Sequence, residues 1–364
     1  MIPSITERDI EAATDVLRSG MLIQGRHVMS LEQKISSMTN TRHAIAVSNG
    51  TATMHLVLVA LGIGPGDEVI VPAFSYVATA NVVELTGARC VFADIDLRTF
   101  NIDVKKVEAL ITPRTKAIIP VHEFGLACDI TELTAIAERH RLHVIEDAAC
   151  ALGACENGRP VGSFGIAGSF SLHPRKSVTS GEGGVITTND AELSRKLCIL
   201  RNHGIEYVDG SMDFVAAGFN YRMTDFQAAF VNSQLERFET ILERKEKIAE
   251  AYFGSLDGKR LKLPHVPANK NHTWQTFHLL LDEDLDRAAV MAALKQAGIG
   301  SNYGAQCIPA TTYYRAKYEH DAEREFPAAY AAYTRGLAVP MYDSLTTEEV
   351  QYISKHINKF TGNA

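Results

Sequence analysis

The stretch from Val144 to Asn189, VIEDAACALGACENGRPVGSFGIAGSFSLHPRKSVTSGEGGVITTND, puts an acid, Asp147, at the end of an apolar run. A lysine, Lys176, follows 29 residues later in a loop rich in Ser, His, Gly and Thr. A lysine can tether a carbonyl compound as a Schiff base, and an acid can hold a proton on a ring nitrogen. Pyridoxal phosphate needs both, because its protonated pyridine draws in the electron pair released at a substrate carbon. It also needs donors around its phosphate. Ser48-Asn49-Gly50-Thr51 follows an apolar run and opens a helical pattern, so Gly50 and Thr51 can aim N–H groups and a hydroxyl at an anion. Ser171, five residues before Lys176, adds another hydroxyl, and Phe74 or Tyr76 offers an aromatic face to stack on a ring. Taken singly, SNGT reads as a helix cap, the Glu146-Asp147 pair as a solvated turn and GEGG as a tight turn. Their joint occurrence in this order on one predicted sheet carries the expectation of a pyridoxal-phosphate site.

Such a site needs a frame, and residues 42–188 repeat one pattern: a short β-branched run, a polar or Gly/Pro break, then helical periodicity. Strands are predicted at His43–Val47, Glu68–Val71, Cys90–Ala93, Lys116–Val121, His143–Glu146, Ser169–Leu172 and Gly184–Thr187. Their runs are continuous rather than alternating, as when helices cover both faces of a mainly parallel sheet. Helices are predicted at Thr51–Leu61, Val77–Leu85, Asp103–Leu110, Ile130–Arg141 and Ala191–Arg201, and one long helix over Asp225–Leu256. Beyond Pro264 come a strand at Thr276–Leu281, a helix at Leu285–Ala297 and a polar loop over Ser301–Thr312. The expected organisation is an α/β domain over 1–236, with an N-terminal helical segment, and a smaller α+β domain over 237–364. In such sheets ligands bind at the carboxyl ends of the strands, where Asp147 and the Lys176 loop both fall.

Composition removes several other classes. The 364 residues carry 36 Lys and Arg against 43 Asp and Glu, a net charge of −7 with no basic cluster, so nucleic acid is not an expected partner. No apolar stretch approaches the roughly 20 residues of a membrane helix. The acidic N-terminal stretch does not read as a leader, and six cysteines without a CxxC pair read as reduced thiols, which together point to the cytoplasm. LGIGPGDEV fails the dinucleotide fingerprint because Asp67 takes the last glycine position, and no GxxxxGK[ST] loop occurs. His122-Glu123 lacks a second histidine four residues on, and Asp94 and Asp96 lack the rest of a calcium loop, so no metal is expected.

The segments SNGTATMHL, GDEVIVPAFSYVATANVV, VFADID, PVHEFG, VIEDAACALGA, SFSLHPRKSVTSGEGG, RNHG and GFNYRMTDFQAA resemble the DegT/StrS family of sugar aminotransferases. The resemblance implies the fold-type I architecture of pyridoxal-phosphate enzymes. It also implies Lys176 as the cofactor tether, Asp147 as partner of the pyridine nitrogen and Tyr76 as the stacking ring. Gly50, Thr51 and Ser171 match the phosphate cradle, and Asn220 matches a residue that reaches the phosphate from the neighbouring subunit, implying a homodimer with shared active sites. Cys150 stands where the family often has Gln or His touching the ring hydroxyl, and a thiol is a weak donor. The implied reaction moves an amino group from an amino acid, glutamate by analogy, to a nucleotide-linked keto-deoxysugar in cell-surface polysaccharide or aminosugar biosynthesis. His173, Arg175 and Arg222 are candidate substrate contacts. A keto-cyclitol aminotransferase is the nearest alternative, and a non-catalytic regulatory protein of this fold a more distant one. A sugar dehydratase is disfavoured because its relatives replace the lysine that Lys176 retains.

Overall fold

All seven predicted runs become strands of one sheet: β1 His43–Val47, β2 Glu68–Pro72, β3 Arg89–Ala93, β4 Thr115–Ile118, β5 His143–Asp147, β6 Ala167–Ser171 and β7 Gly184–Thr188. The computed structural model describes residues 3–362. In space the strands run β1-β7-β6-β5-β4-β2-β3. From β6 across to β3 neighbours are parallel, while β7 runs against both β6 and β1. Strand β7 can oppose β6 because the loop that carries Lys176 joins them with no crossover helix between.

Both faces of the sheet are covered, which is why the strands carry no polar alternation. In β2, Val69 and Val71 pack on one side with Met54, Leu56 and Val57 of the helix Gly50–Ala60. Ile70 between them packs on the other with Ile130, Leu133, Ile136 and Ala137 of the helix Ile130–His140. A period of two along the strand meets a helical period on each side.

The predicted long helix over Asp225–Leu256 is instead two helices, Asp225–Leu235 and Phe238–Ser255. The chain breaks where Arg237 turns to form paired bonds with Asp9, Nη1 to Oδ1 at 2.8 Å and Nη2 to Oδ2 at 2.7 Å, and donates to the Ser4 carbonyl at 2.9 Å. Burial works against a charge on Asp9, but Arg237 and the Thr6 donors outweigh it and hold the carboxyl at about 2. The two-residue break keeps the apolar stripe nearly in phase, so periodicity alone did not reveal it.

The strand Phe277–Leu281 pairs with Gly336–Val339 and with Leu261–Lys262 in a separate antiparallel sheet. It packs under Leu294, Val350, Ile353 and Ile357 in an apolar cluster distinct from that of the large sheet. The predicted polar loop Ser301–Thr312 is partly ordered structure. Gln306–Cys307 pairs with Phe74–Ser75, and Ile308 N donates to Ala73 O at 2.8 Å. This pairing carries the C-terminal part of the chain back to the strand ends of the large sheet. Two residues are too few to give a periodic signal.

Candidate active site

Strands β1 to β6 point the same way, so the segments that follow them meet along one edge. Asp147 ends β5 with 4% of its surface exposed. Its Oδ2 accepts from Thr79 Oγ1 at 2.8 Å and its Oδ1 from the Ala149 N–H at 3.2 Å. Burial nonetheless pushes its carboxyl up from the ordinary range, against the pull of Thr79, Ala149, Lys176 and His122. Neighbouring side chains on a strand face opposite ways. Glu146 accordingly turns from the edge to accept from the N–H groups of Phe164, Gly165 and Gly162 at 2.7, 2.9 and 2.7 Å, and meets His122 Nε2 at 3.0 Å. The acidic pair thus divides into a brace and a site carboxylate.

Lys176 lies in the loop after β6 with its Nζ 3.0 Å from Cys150 Sγ. Burial pushes the Cys150 thiol up, so at neutral pH it is an uncharged acceptor for the Lys176 Nζ donor. The loop is braced on several sides. Lys176 N donates to His173 O at 2.8 Å, Gln275 Nε2 to Arg175 O at 3.1 Å and Lys245 Nζ to Ser177 Oγ at 2.9 Å. Lys245 is itself buried, and desolvation together with the Lys176 charge lowers it to about 8 although Asp343 pulls the other way.

At the end of β1, Asn49 caps the helix Gly50–Ala60, its Oδ1 accepting from Ala52 N at 2.8 Å. The preceding N–H groups of Gly50 and Thr51 belong to the first turn, which has no intrahelical acceptors. A Cβ on Gly50 would sit 2.7 Å from Ser171 Cβ, so only glycine lets the helix start and the end of β6 close this tightly. The structure therefore brings Gly50, Thr51 and Ser171 together beside Asp147 and Lys176. Arg222 adjoins this corner, bridging Val47 through its backbone, and its guanidinium binds Asn202 Oδ1. Asn220 is exposed and pairs with Asn202 through its backbone.

Of the two candidate rings, Phe74 is fully buried against Phe100, Phe124 and His278, which makes it core, whereas Tyr76 stands exposed at the edge. His173 is half-buried, its Nδ1 accepting from the Arg175 N–H at 3.2 Å, and burial lowers its basicity. The Arg175 side chain is exposed. Three further residues border the candidate site without a signal in the local sequence: Thr79, Lys245 and Glu123. In the sequence Glu123 belongs to a failed zinc motif and to the segment PVHEFG, neither of which gives it a role. Among the described residues no group of His, Cys, Asp or Glu is arranged to hold a metal ion.

The donor set suits pyridoxal phosphate. A carboxylate raised by burial matches a protonated pyridine nitrogen, an amine stands close by, and a helix start with a tight glycine matches a phosphate.

Comparison with known proteins agrees with this geometry. The family description DegT/DnrJ/EryC1/StrS aminotransferase matches residues 3–358. GDP-perosamine synthase of Caulobacter vibrioides is 41% identical over 90% of this chain and 88% of that protein. The spore coat polysaccharide biosynthesis protein SpsC of Bacillus subtilis is 36% identical over 100% of this chain and 97% of that protein. Among solved structures, Spr1654 of Streptococcus pneumoniae, assigned as a sugar aminotransferase and solved with PMP, superposes with a TM-score of 0.94 at 31% identity, covering 99% of this chain and 98% of that one.

Proposed function

Because the chain belongs to the DegT/DnrJ/EryC1/StrS aminotransferase family, whose members are pyridoxal-phosphate-dependent transaminases, we propose that it aminates a nucleotide-linked keto-deoxysugar at the expense of an amino acid such as glutamate. The setting this favours is polysaccharide biosynthesis, in keeping with the relatives named above. The observation that carries the reading is the convergence of Lys176, Asp147 and the Gly50 helix start on one sheet edge.

Bound pyridoxal phosphate supplies an electron sink and a carrier for the amino group. Asp147, dry and held by Thr79, keeps a proton on the pyridine nitrogen. Lys176 would tether the cofactor and, with its Nζ free, would take the proton from the donor's α-carbon and return it two atoms away, across the nitrogen being transferred. Cys150 Sγ gives that Nζ a resting partner. The N–H groups of Gly50 and Thr51 and the hydroxyls of Thr51 and Ser171 hold the phosphate, and Tyr76 covers a ring face. His173, Arg175 and Arg222 are the polar groups disposed to meet the donor carboxylate or the sugar diphosphate.

The same reading includes a homodimer in which Asn220 of a second copy completes the phosphate site. It is supported by the hairpin Ile205–Val208 and Ser211–Phe214, which leads into Asn220 and exposes Tyr207, Met212 and Phe214. Exposed Met21 and Ile23 flank Leu22, whose carbonyl accepts from Asp225 N at 3.1 Å just beyond Asn220. Apolar surface of this kind marks an interaction face.

Borohydride reduction of protein incubated with pyridoxal phosphate tests the assignment. The expected result is one cofactor mass on the peptide containing Lys176, and none in Lys176→Ala, which still binds pyridoxamine phosphate but does not turn over. Cofactor fixed on another lysine, or on none, overturns it.

A further inference from the structure

We propose that Glu123 is a further cofactor-binding residue, its carboxyl group supplying the hydrogen bond to the ring hydroxyl that Cys150 is poorly equipped to make. The inference rests on the aminotransferase reading above.

Glu123 follows β4 in the segment PVHEFG and is 4% exposed. Its Oε2 is buried and has no hydrogen-bond partner among the described residues, an arrangement that folding alone does not reward. The residue is nevertheless firmly placed. Its N–H donates to Asn101 Oδ1 at 2.8 Å, and the preceding His122 N–H donates to the carbonyl of Asp147 at 3.0 Å. Phe124 and Gly125 both take left-handed backbone, at φ 58° and 104°, and a Cβ on Gly125 would lie 2.5 Å from Thr273 Oγ1. The same Thr273 hydroxyl lies 3.5 Å from the carbonyl of Cys150. A tight turn thus fixes an acid with one oxygen to spare among Asp147, Cys150 and Lys176, and each of these groups feels its charge or acts on it.

Strand order says which edge of the ring it faces. Three points orient the pyridine: the nitrogen at Asp147, the carbon opposite it at Lys176, and the phosphate arm at Gly50, Thr51 and Ser171. The phosphate cradle belongs to β1 and β6, on one side of β5, whereas Glu123 follows β4 on the other side. The hydroxyl and the phosphate arm flank the tethered carbon on opposite sides, so a ring oriented in this way turns its hydroxyl towards the β4 side. That side offers the Cys150 thiol and the free oxygen of Glu123. Burial first, and then the Asp147 charge, raise Glu123 to about 8, so at neutral pH it is a protonated acid with a hydrogen to donate.

The test uses non-covalent ligands and needs no turnover. Equilibrium dialysis of the apo-protein compares pyridoxamine phosphate with its analogue lacking the 3-hydroxyl, in wild type, Glu123→Leu, Glu123→Gln and Cys150→Ala. Wild type is expected to favour the hydroxylated ligand by about tenfold, the worth of one hydrogen bond to a polar buried partner. Glu123→Leu should lose most of that preference, Glu123→Gln should keep part of it, and Cys150→Ala should keep nearly all. A purely structural Glu123 changes the affinity for both ligands together and leaves their ratio alone, and that result overturns the inference. Loss of the preference in Cys150→Ala instead also overturns it. If wild type binds neither ligand, the aminotransferase reading itself has failed.

Discussion

Asp147 and Glu146 are adjacent acids with opposite duties, and the pleat of β5 assigns them. The sequence could place the pair at a strand end and point to Asp147 by its place ahead of the Lys176 loop, but it could not say what occupies Glu146. The structure adds the physical reason, since Glu146 spends both oxygens on three backbone N–H groups and His122. Glu123 shows the opposite economy, a buried acid with an oxygen left over. A carboxyl raised from 4.5 to about 8 contributes stability that is intact below pH 4.5 and is lost as pH rises through 8. The melting temperature of apo Glu123→Leu relative to wild type should therefore rise as pH goes from 5 to 8.5. A difference that stays flat or falls over this range, measured by thermal unfolding at matched ionic strength, contradicts the burial of an unpartnered acid.

Among the elements, the large sheet was legible because each of its strands is a continuous apolar run bounded by breaks. The sites of failure are equally physical. The helix break at Arg237 is imposed by a tertiary ion pair with Asp9, more than 200 residues away, which no local pattern encodes. Asp225 is another long-range device. Its Oδ1 accepts from the N–H groups of Gly25, His27 and Val28 at 3.0, 2.9 and 2.9 Å, capping the helix Arg26–Met38 from a helix start distant in sequence. Asp225→Ala leaves three N–H groups without this acceptor and should cost about 1–3 kcal/mol. Urea unfolding checks this value. A change below a few tenths would show that water replaces the cap freely. Because Asp225 lies five residues beyond Asn220, the same variant should also loosen the segment proposed to reach into a second copy.

At the scale of the whole molecule, the net charge of −7 opposes the anionic ligands this site is built for. Local geometry has to prevail over it, through a helix start, a close glycine contact and nearby arginines. Most of the candidate site was legible in the sequence because its proposed parts follow one another along the chain and meet at one sheet edge. Glu123 and Thr79 were not, because their significance comes only from where parallel strands bring them. The central claim is amination of a nucleotide-linked sugar, and single-turnover absorbance tests it most directly. Protein loaded with pyridoxamine phosphate should return to the pyridoxal form within one turnover when mixed with a nucleotide-linked 3-keto or 4-keto sugar, and remain unchanged with a keto-cyclitol. Conversion by the keto-cyclitol alone would contradict the account.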